Sequence, residues 1–262
     1  MTAATDIVRL WPAASAVDGC ARPLDDDALA AAYPVPAARD AGRAWLRANF
    51  VAGLDGAVTT VDGRCGGLSS PNDQRLLHLL RALCDGLMVG AGTLRAEGYG
   101  ALVLDPAHRR RRTRAGLAPH PVLVVVSGRL DLDPAHPMFA EAPVRPVVVT
   151  HAAAPAGRRR ALAGAADVLV CGDDAVDLGL ALRRLSEHGL PRLLCEGGPT
   201  LFGGLVGAGL VDELCLTLSP LLVGPGPDRL SAGPAAAAAP RGMRLAHLLT
   251  DGEALFARYL RG

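Results

Sequence analysis

Residues 193–205 read LLCEGGPTLFGGL, and this stretch decides the fold because a strand pattern turns into a helix pattern within it. Its first residues belong to a short apolar run of strand length, and a helix-like segment begins near Thr200. Between the two lie Glu196, Gly197 and Gly198. A strand that leads directly into a helix is typical of α/β proteins, whose ligands bind at the carboxyl ends of the strands.

The same alternation of short apolar runs and helical segments continues through most of the chain. Runs that are apolar throughout are typical of parallel strands that helices cover on both faces. The pattern therefore predicts a three-layer α/β fold with a mostly parallel sheet. The predicted strands are 45–51, 86–89, 122–126, 147–149, 168–171 and 192–195, and the predicted helices are 72–83, 178–188 and 200–208.

Helix 72–83 has a clear start signal. Ser70 stands at the N-cap position, Pro71 at the first helical position and Asp73 at the third, which is the spacing of a capping box. These residue types satisfy backbone N–H groups that a helix leaves unpaired at its start. We therefore predict that the helix begins here.

The two ends of the chain differ from its middle. Residues 1–43 are interpreted as an N-terminal arm lying on a single domain at 44–262, with one short helix at 25–33 that Pro34 ends. Segments 212–218 and 255–260 are extended with no long crossover helix between them, which predicts antiparallel strands at the end of the sheet. Two segments are predicted to be mobile surface: loop 100–119, with four arginines at 109–112, and the alanine-rich segment 234–240.

Composition excludes several classes of function. The chain has 262 residues and a formal net charge of +1, so we expect no nucleic-acid partner and no membrane partner. No apolar run reaches the roughly 20 residues that span a bilayer, and the first residues lack the pattern of a secretion signal, which predicts a cytoplasmic protein. The six cysteines form no CxxC pair, so we expect reduced thiols and no metal site. The absence of lysine excludes Schiff-base chemistry and a P-loop.

The two glycines of the opening stretch suit an anion. Gly197 and Gly198 remove side chains, so a phosphate can approach backbone N–H groups at the start of the next helix, where the helix dipole favours negative charge. Glu196 would repel that phosphate and must contact something else. A purely structural strand-to-helix turn could carry the same glycines, and their spacing alone leaves both interpretations open.

Two further stretches end apolar strands in the same way. VGAGT at 89–93 lacks the third glycine of a dinucleotide fingerprint, because Arg95 occupies that position. Thr93 is therefore a candidate either for contacting a phosphate or for capping the next helical turn. NFVAGLDG at 49–56 closes on Asp55 and Gly56, which alone are an ordinary turn signal.

Taken in chain order, these stretches resemble the reductase domain of the bifunctional riboflavin-biosynthesis deaminase-reductase, a family whose fold is similar to dihydrofolate reductase. The resemblance runs from about residue 45 to residue 260. It rests on NFVAGLDG, LSSPNDQR with Arg81 following, VGAGT, VVVS at 124–127, EGGPTLFG and the VDELCLTLSPLLVG that ends at Gly224. The resemblance implies a mostly parallel α/β sheet with antiparallel C-terminal strands.

The resemblance also implies an activity and a cofactor. Members of this family transfer hydride from NADPH to the ribosylamino carbon of a pyrimidine ribose phosphate and yield the ribitylamino product. The candidates for binding the small-molecule substrate are Asn49, Cys65, Arg81 and Glu196. The candidates for binding NADPH are Val51, Ala52, Gly67, Gly90, Thr93, Glu97, Ser127, Arg129, Gly197, Gly198, Pro199, Thr200, Leu201, Phe202, Gly203 and Gly204.

The sequence departs from the family pattern at some of these positions. Many bifunctional members have a lysine in place of Asn49, although stand-alone reductases often have asparagine there. They also have a serine in place of Cys65, a tryptophan in place of Gly67 and an aspartate in place of Glu97. No clear match exists for the residues that hold the substrate phosphate. The chain has no HxE and PCxxC zinc signature, so it is not expected to deaminate.

Hydride transfer needs positioning and a proton donor rather than a covalent nucleophile, because the cofactor carries the reactive atom. Asp55 and Glu196 are the catalytic candidates, each able to supply a proton when the ribose opens to an imine-like form. Arg129 could pair with the 2′-phosphate of NADPH or lie solvated in a loop. The apolar segment 214–223 would be costly to expose, which predicts a homodimer.

Two other functions compete with this one. A dihydrofolate or pterin reductase on the same fold would also hold a flat, amide-bearing heterocycle with a carboxylate. A non-catalytic NADPH-binding protein would explain the substitutions at Cys65, Gly67 and Glu97. NADPH consumption measured with the deaminated pyrimidine, its undeaminated precursor and dihydrofolate would separate the three.

Overall fold

The structure, a computed structural model, describes residues 6–12, 22–34, 42–225, 229–233 and 240–262. The strands are β1 (Val8–Trp11), β2 (Trp45–Gly53), β3 (Gly86–Gly90), β4 (Val122–Val126), β5 (Val147–Thr150), β6 (Asp167–Val170), β7 (Arg192–Cys195), β8 (Glu213–Ser219), β9 (Met243–Thr250) and β10 (Leu255–Arg261). The helices are α1 (Asp26–Ala32), α2 (Pro71–Leu83), α3 (Ala91–Glu97), α4 (Pro106–Arg114), α5 (Pro137–Ala140), α6 (Ala156–Ala163), α7 (Leu178–Glu187) and α8 (Pro199–Gly207).

The described strands form one sheet in the order β1-β9-β10-β8-β2-β7-β3-β4-β5-β6. Neighbouring strands from β8 to β6 in this order are parallel. Strand β10 is antiparallel to both β8 and β9, and β1 is antiparallel to β9. The predicted α/β class, with a mostly parallel sheet and antiparallel C-terminal strands, is confirmed.

Helices cover both faces of the sheet, and successive residues of the central strands face opposite layers. On β3, Leu87 and Val89 belong to the apolar cluster that includes residues of α2. Met88, between them, belongs to a second cluster that includes residues of α7 and α8. Because both faces are buried, these strands are apolar throughout, as the three-layer prediction requires.

The elements predicted for the middle of the chain are all present. Their ends differ from the predicted ends by at most two residues. The N–H group of Asp73 donates to Oγ of Ser70 at 3.1 Å, which confirms the predicted start of α2. The sequence did not predict β1, β9 or the helices α3, α4, α5 and α6.

The N-terminal residues contribute directly to the sheet and the core. Strand β1 pairs with β9 and so extends the sheet by one strand. The helix predicted at 25–33 is present as α1, and Leu29 and Tyr33 are buried in the same apolar cluster as residues of α2. The division into an arm at 1–43 and a domain at 44–262 stays a prediction.

A buried ion cluster fastens the end of α1 to the sheet. Arg47 of β2 and Arg258 of β10 each donate through Nε to Oε1 of Glu213 at 2.7 Å. The same guanidinium groups donate to backbone carbonyl oxygens, Arg47 to Tyr33 and Arg258 to Ala32. Burial raises the pKa of Glu213, but the charges of the two arginines outweigh burial and hold this pKa below its usual value. The cluster therefore keeps a carboxylate ionised in the interior.

The prediction that loop 100–119 is solvated surface is wrong at its centre. Part of this loop forms α4, and Arg112 is 1% exposed. Its guanidinium donates to the carbonyl oxygens of Ala118, Ala82 and Cys84. The last two carbonyls lie at the end of α2, where a helix leaves its carbonyl groups unpaired. One arginine of the run is therefore a buried hydrogen-bond donor.

Some predictions fall outside what the structure describes. The alanine-rich segment 234–240 lies there apart from Pro240, and so does Cys20. Within the described ranges, no helix combines the length and the apolar character that crossing a membrane requires. The same ranges hold no cluster of three or more histidine, cysteine, aspartate or glutamate side chains that could bind a metal ion.

Candidate functional site

A cleft of about 780 Å³ opens at the carboxyl ends of the central strands. Its walls include the end of β2 and residues that follow β7, β3 and β4 directly. These four strands are neighbours in the sheet, so the cleft extends over roughly 14 Å at the usual strand spacing. Open α/β sheets bind their ligands in this crevice.

The junction between β7 and α8 forms one wall of the cleft. Gly197 has a φ of +102°, which side chains other than glycine rarely adopt, and its peptide bond to Gly198 is cis. A Cβ atom at Gly198 would lie 2.5 Å from Oγ1 of Thr93, so a larger residue does not fit without a shift. Gly198 and Thr200 line the cleft, and no described side chain caps α8. The first turn of α8 therefore offers unpaired N–H groups to a ligand.

Glu196 is held in the cleft wall by an arginine and a tyrosine. Arg81 donates to both carboxylate oxygens, through Nε at 2.7 Å and through Nη2 at 2.6 Å. The hydroxyl group of Tyr99 donates to Oε2 at 2.8 Å. Burial lowers the pKa of Arg81, but its hydrogen bond to Glu196 and the charge of Glu196 outweigh burial and raise this pKa. Glu196 is thus a fixed, ion-paired hydrogen-bond acceptor for a ligand in the cleft.

The contacts of Arg81 differ from those expected. It was predicted to touch the substrate, but it does not line the cleft. It lies in the last turn of α2, and its guanidinium is engaged by Glu196. The structure therefore gives Arg81 a positioning role: it orients the carboxylate that faces the cleft.

Asp55 does not line the cleft either. Its Oδ2 accepts hydrogen bonds from the N–H groups of Val223 and Gly224, both at 2.8 Å. These bonds, the one from Gly224 above all, hold the pKa of Asp55 below its usual value. An ionised carboxylate has no proton to give, so the structure does not support the catalytic role predicted for Asp55. Asp55 instead joins the loop after β2 to the loop after β8.

Most of the other predicted site residues meet in the cleft. They come from five separate segments of the sequence, and the carboxyl ends of neighbouring parallel strands bring most of them together. Those that line it, with Glu196, are Asn49, Val51, Cys65, Gly90, Thr93, Glu97, Ser127, Arg129, Gly198, Pro199, Thr200 and Leu201.

The remaining predicted cofactor residues do not line the cleft. They are Ala52, Gly67, Gly197, Phe202, Gly203 and Gly204. Close packing accounts for the residue type at some of these positions. A Cβ atom at Gly203 would lie 2.2 Å from the carbonyl oxygen of Ala232. The ring of Phe202 packs on Phe50, with 4.5 Å between the ring centroids. The glycine-rich signal of α8 therefore combines ligand contact at its start with close packing further along.

Two arginines line one end of the cleft, Arg129 after β4 and Arg95 in α3. Oγ of Ser127 accepts a hydrogen bond from the N–H group of Leu130 at 3.0 Å and so closes a tight turn. Arg129, within that turn, lines the cleft and is exposed, and its side chain forms no ion pair with the described residues. Arg95 also lines the cleft and donates to the carbonyl oxygen of Asp131 at 3.1 Å. This end of the cleft can therefore receive an anion.

The sequence did not predict six polar residues of the cleft, namely Thr59, Ser69, Asp73, Arg95, Tyr99 and Asp131. The sequence pattern indicates a helix-capping role for Asp73. Acidic residues in a first helical turn are ordinarily explained by the helix dipole, and that explanation hid its position. The signal that could have found Asp73 is its place in LSSPNDQR, one of the stretches that carry the family resemblance.

The described cysteines are free thiols, and those in or near the cleft stay protonated. Burial, with the nearby charge of Glu97, raises the pKa of Cys65 to about 12. Burial also raises the pKa of Cys195 to about 12. Because the thiolate is the reactive form, neither residue is an activated nucleophile.

A parallel α/β sheet, an uncapped helix start and an ion-paired carboxylate in one cleft define a class of protein that binds a phosphate-bearing ligand beside a polar recognition group. The chain belongs to the RibD C-terminal domain family, whose model matches residues 44–256.

Two archaeal relatives support this assignment, and both are named 2,5-diamino-6-ribosylamino-4(3H)-pyrimidinone 5′-phosphate reductase. The protein of Archaeoglobus fulgidus is 32% identical over 182 residues, which are 70% of this chain and 83% of the relative. That of Methanothermobacter thermautotrophicus is 36% identical over 183 residues, which are 70% of this chain and 80% of the relative.

Two solved structures have the same fold as this chain. A pyrimidine reductase-like protein from Corynebacterium diphtheriae is 27% identical and superposes with a TM-score of 0.75, over 84% of this chain and 92% of that one. The riboflavin biosynthesis reductase of Saccharomyces cerevisiae, at 17% identity, superposes with a TM-score of 0.63 over 86% of this chain and 92% of that one. At this identity the second comparison supports the fold alone.

Proposed function

We propose that this protein is an NADPH-dependent reductase that converts a ribosylaminopyrimidine 5′-phosphate into its ribitylamino product in riboflavin biosynthesis. The family and the activity named for the archaeal relatives support this proposal. One observation carries it: the ion-paired carboxylate of Glu196 and the uncapped start of α8 share one cleft. Free thiols at the described cysteines fit a reducing cytoplasm, which is the location we propose.

The residues of the cleft fit NADPH. Its pyrophosphate would lie at the first turn of α8, where Gly198 leaves room that a side chain would fill. Its 2′-phosphate would lie at the end of β4, where Arg129 forms no ion pair within the described chain. Residues Val51 and Thr93 also line the cleft.

The chain's own residues would position the substrate, and the bound cofactor would supply the hydride. Glu196 accepts hydrogen bonds from N–H groups on the edge of the pyrimidine, which orients the ribosylamino carbon. Arg81 and Tyr99 keep the carboxylate in place, so it does not have to reorganise when the substrate binds.

An assay of NADPH consumption tests this function. The unmodified protein is offered the diaminopyrimidinone riboside phosphate, its deaminated counterpart and dihydrofolate, each with NADPH. We expect turnover with a ribosylaminopyrimidine and none with dihydrofolate. Turnover with dihydrofolate alone would contradict the proposal, and so would NADPH binding without turnover of any substrate.

Cofactor preference is a further prediction. NADPH should be preferred over NADH, and Arg129→Ala should narrow that preference by about 1 to 3 kcal/mol, because a charge-assisted contact to the 2′-phosphate is lost. The measurement is kcat/KM with each cofactor. Arg110→Ala, an exposed arginine of α4 away from the cleft, is the matched control. Equal use of both cofactors by the unmodified protein would contradict the assignment.

One face of the antiparallel end of the sheet is apolar and only half-buried. Along β8, Leu214, Leu216 and Leu218 lie on this face, while Cys215 and Thr217 between them are buried on the other. The cross-strand register extends the face onto β10 and β9. Its half-buried members are Leu214, Leu216, Leu218, Leu245, Leu248, Leu255 and Tyr259. A monomer would leave a contiguous apolar patch in water, so we propose that two copies pair through it.

The dimer gives a direct prediction. Light scattering at micromolar concentration should find a particle of twice 26.9 kDa. Leu216→Glu should shift the equilibrium to the monomer, because it places a charge in the centre of the face. Arg110→Glu, on α4, should stay dimeric. A monomeric unmodified protein would contradict the proposal.

A further inference from the structure

Besides Glu196, the cleft is lined by three carboxyl groups, those of Asp73, Glu97 and Asp131. The surroundings of Asp73 are the opposite of those of Glu196. Asp73 lies in the first turn of α2, lines the cleft and is only 5% exposed. Glu196 has a bidentate arginine partner. Within the described residues, no arginine or histidine forms an ion pair with Asp73.

The partners of Asp73 are neutral. The hydroxyl group of Ser69 donates to Oδ2, and Thr217 of β8 is a second hydrogen-bonding partner. Cys65 also lines the cleft and interacts with Asp73 electrostatically, and its thiol is protonated because burial and Glu97 raise its pKa to about 12. Burial raises the pKa of Asp73, and its two hydrogen bonds do not cancel that effect. The environment therefore stabilises the protonated carboxyl group relative to the carboxylate more than water does.

We propose that Asp73 is the proton donor of the reaction, in place of Asp55 and Glu196. This inference rests on the function proposed above. When the C1′–O4′ bond of the substrate breaks, its electron pair leaves with O4′, which takes the proton of Asp73. The lone pair of the attached nitrogen forms the C1′=N bond, and hydride from NADPH then adds to C1′. The substrate gains one proton and one hydride, NADPH is oxidised to NADP⁺, and water reprotonates Asp73.

The division of labour follows from the two environments. Carboxyl groups that share a cleft but differ in burial and charge partners take different roles, the ionised one as acceptor and the protonated one as acid. Glu196, paired with Arg81, is the acceptor. Asp73, buried among hydroxyl groups, is the acid.

Asp73→Asn is the first test, since it keeps the size of the side chain and removes the acid. We expect kcat to fall about 10²-fold, the scale of losing a positioned acid. The NADPH dissociation constant, measured by fluorescence titration, should change by less than about threefold. Asp73→Glu, which retains the acid, should recover part of the loss. Turnover by Asp73→Asn within about threefold of the unmodified protein would overturn the inference.

The pH profile is the second test, because a merely structural role would leave it unchanged. The protonated acid is the active form, so kcat should fall as pH rises through the pKa of Asp73. This limb should vanish in Asp73→Asn. Ser69→Ala removes a hydrogen bond that favours the carboxylate, so the limb should move to higher pH. A limb that stays in place in Ser69→Ala would overturn the inference.

Carbon-13 NMR of labelled aspartate carboxyl groups tests the acid without turnover. The signal of Asp73 is the one lost in Asp73→Asn, and it should titrate above the usual aspartate value of 3.8. Titration below that value would overturn the inference even if the variant folds poorly. If the unmodified protein consumes no NADPH with any ribosylaminopyrimidine, the proposed function fails and the inference fails with it. Normal turnover by Asp73→Asn would overturn the role of Asp73 but leave the proposed function intact.

Discussion

Glu196→Gln should lower turnover by about 10²-fold or more while NADPH affinity stays within about threefold. Glutamine has the size of glutamate but presents one acceptor and one donor, so it cannot receive two N–H groups from the substrate. It also removes the charge that Arg81 pairs with, so the guanidinium loses its bidentate partner. Steady-state kinetics measure turnover, and quenching of protein fluorescence measures NADPH binding. Thermal unfolding of the variant shows whether the fold is kept.

Gly198→Val is the matched variant at the same junction, and it should weaken NADPH binding, which Glu196→Gln should leave nearly unchanged. A Cβ atom there would lie 2.5 Å from Oγ1 of Thr93, and the side chain would fill the space at the start of α8. NADPH binding should therefore weaken whether or not substrate is present. Should Glu196→Gln instead lose NADPH binding and keep its turnover at saturating cofactor, Glu196 belongs to the cofactor site and the proposed division is wrong.

Glu213→Ala should lower the free energy of unfolding by about 3 to 5 kcal/mol, the usual cost of removing one partner of a buried ion pair. The variant leaves the guanidinium groups of Arg47 and Arg258 in the interior without a counter-charge. Chemical denaturation measures the change. Glu253→Ala removes an exposed carboxylate and should alter stability by less than about 0.5 kcal/mol.

The same cluster makes the stability of the folded protein depend on pH. The pKa of Glu213 in the folded protein lies below its usual value of 4.5. Its stabilising contribution is therefore complete above pH 4.5 and is lost as pH falls through the lower, folded-state value. Unfolding of the unmodified protein should become easier below that pH, and Glu213→Ala should lack this part of the dependence. A Glu213→Ala variant within about 1 kcal/mol of the unmodified protein would contradict the account.

The parallel core of this protein could be predicted from its sequence because strands that are buried on both faces are apolar at successive positions. Strands such as 122–126, which reads VLVVV, can lie only between two apolar layers. The cleft could be predicted for a related reason: residues after successive parallel strands converge at one edge of the sheet. Glu196, Thr93 and Ser127 meet there although the sequence separates them widely.

The features that the sequence did not predict depend on tertiary contacts. Arg112 stands in a run of arginines that has no apolar pattern, and only the unpaired carbonyls at the end of α2 explain its burial. Asp55, followed by Gly56, is an ordinary turn signal. The N–H groups that donate to its carboxylate lie 168 and 169 residues away in the sequence. The four residues of β1 are too few to show a period, so only their pairing with β9 identifies the strand.

The position of β2 between β7 and β8 has a consequence for how the chain is made. Arg47 of β2 and its partner Glu213 are 166 residues apart. At about 5 to 20 residues per second, the ribosome needs roughly 8 to 33 s to add the partner strand after β2 has been synthesised. Strands β3 to β6, by contrast, find their neighbours soon after synthesis. Strand β2 therefore has no partner strand until β7 (Arg192–Cys195) has been synthesised, and its pairing is completed only when β8 follows.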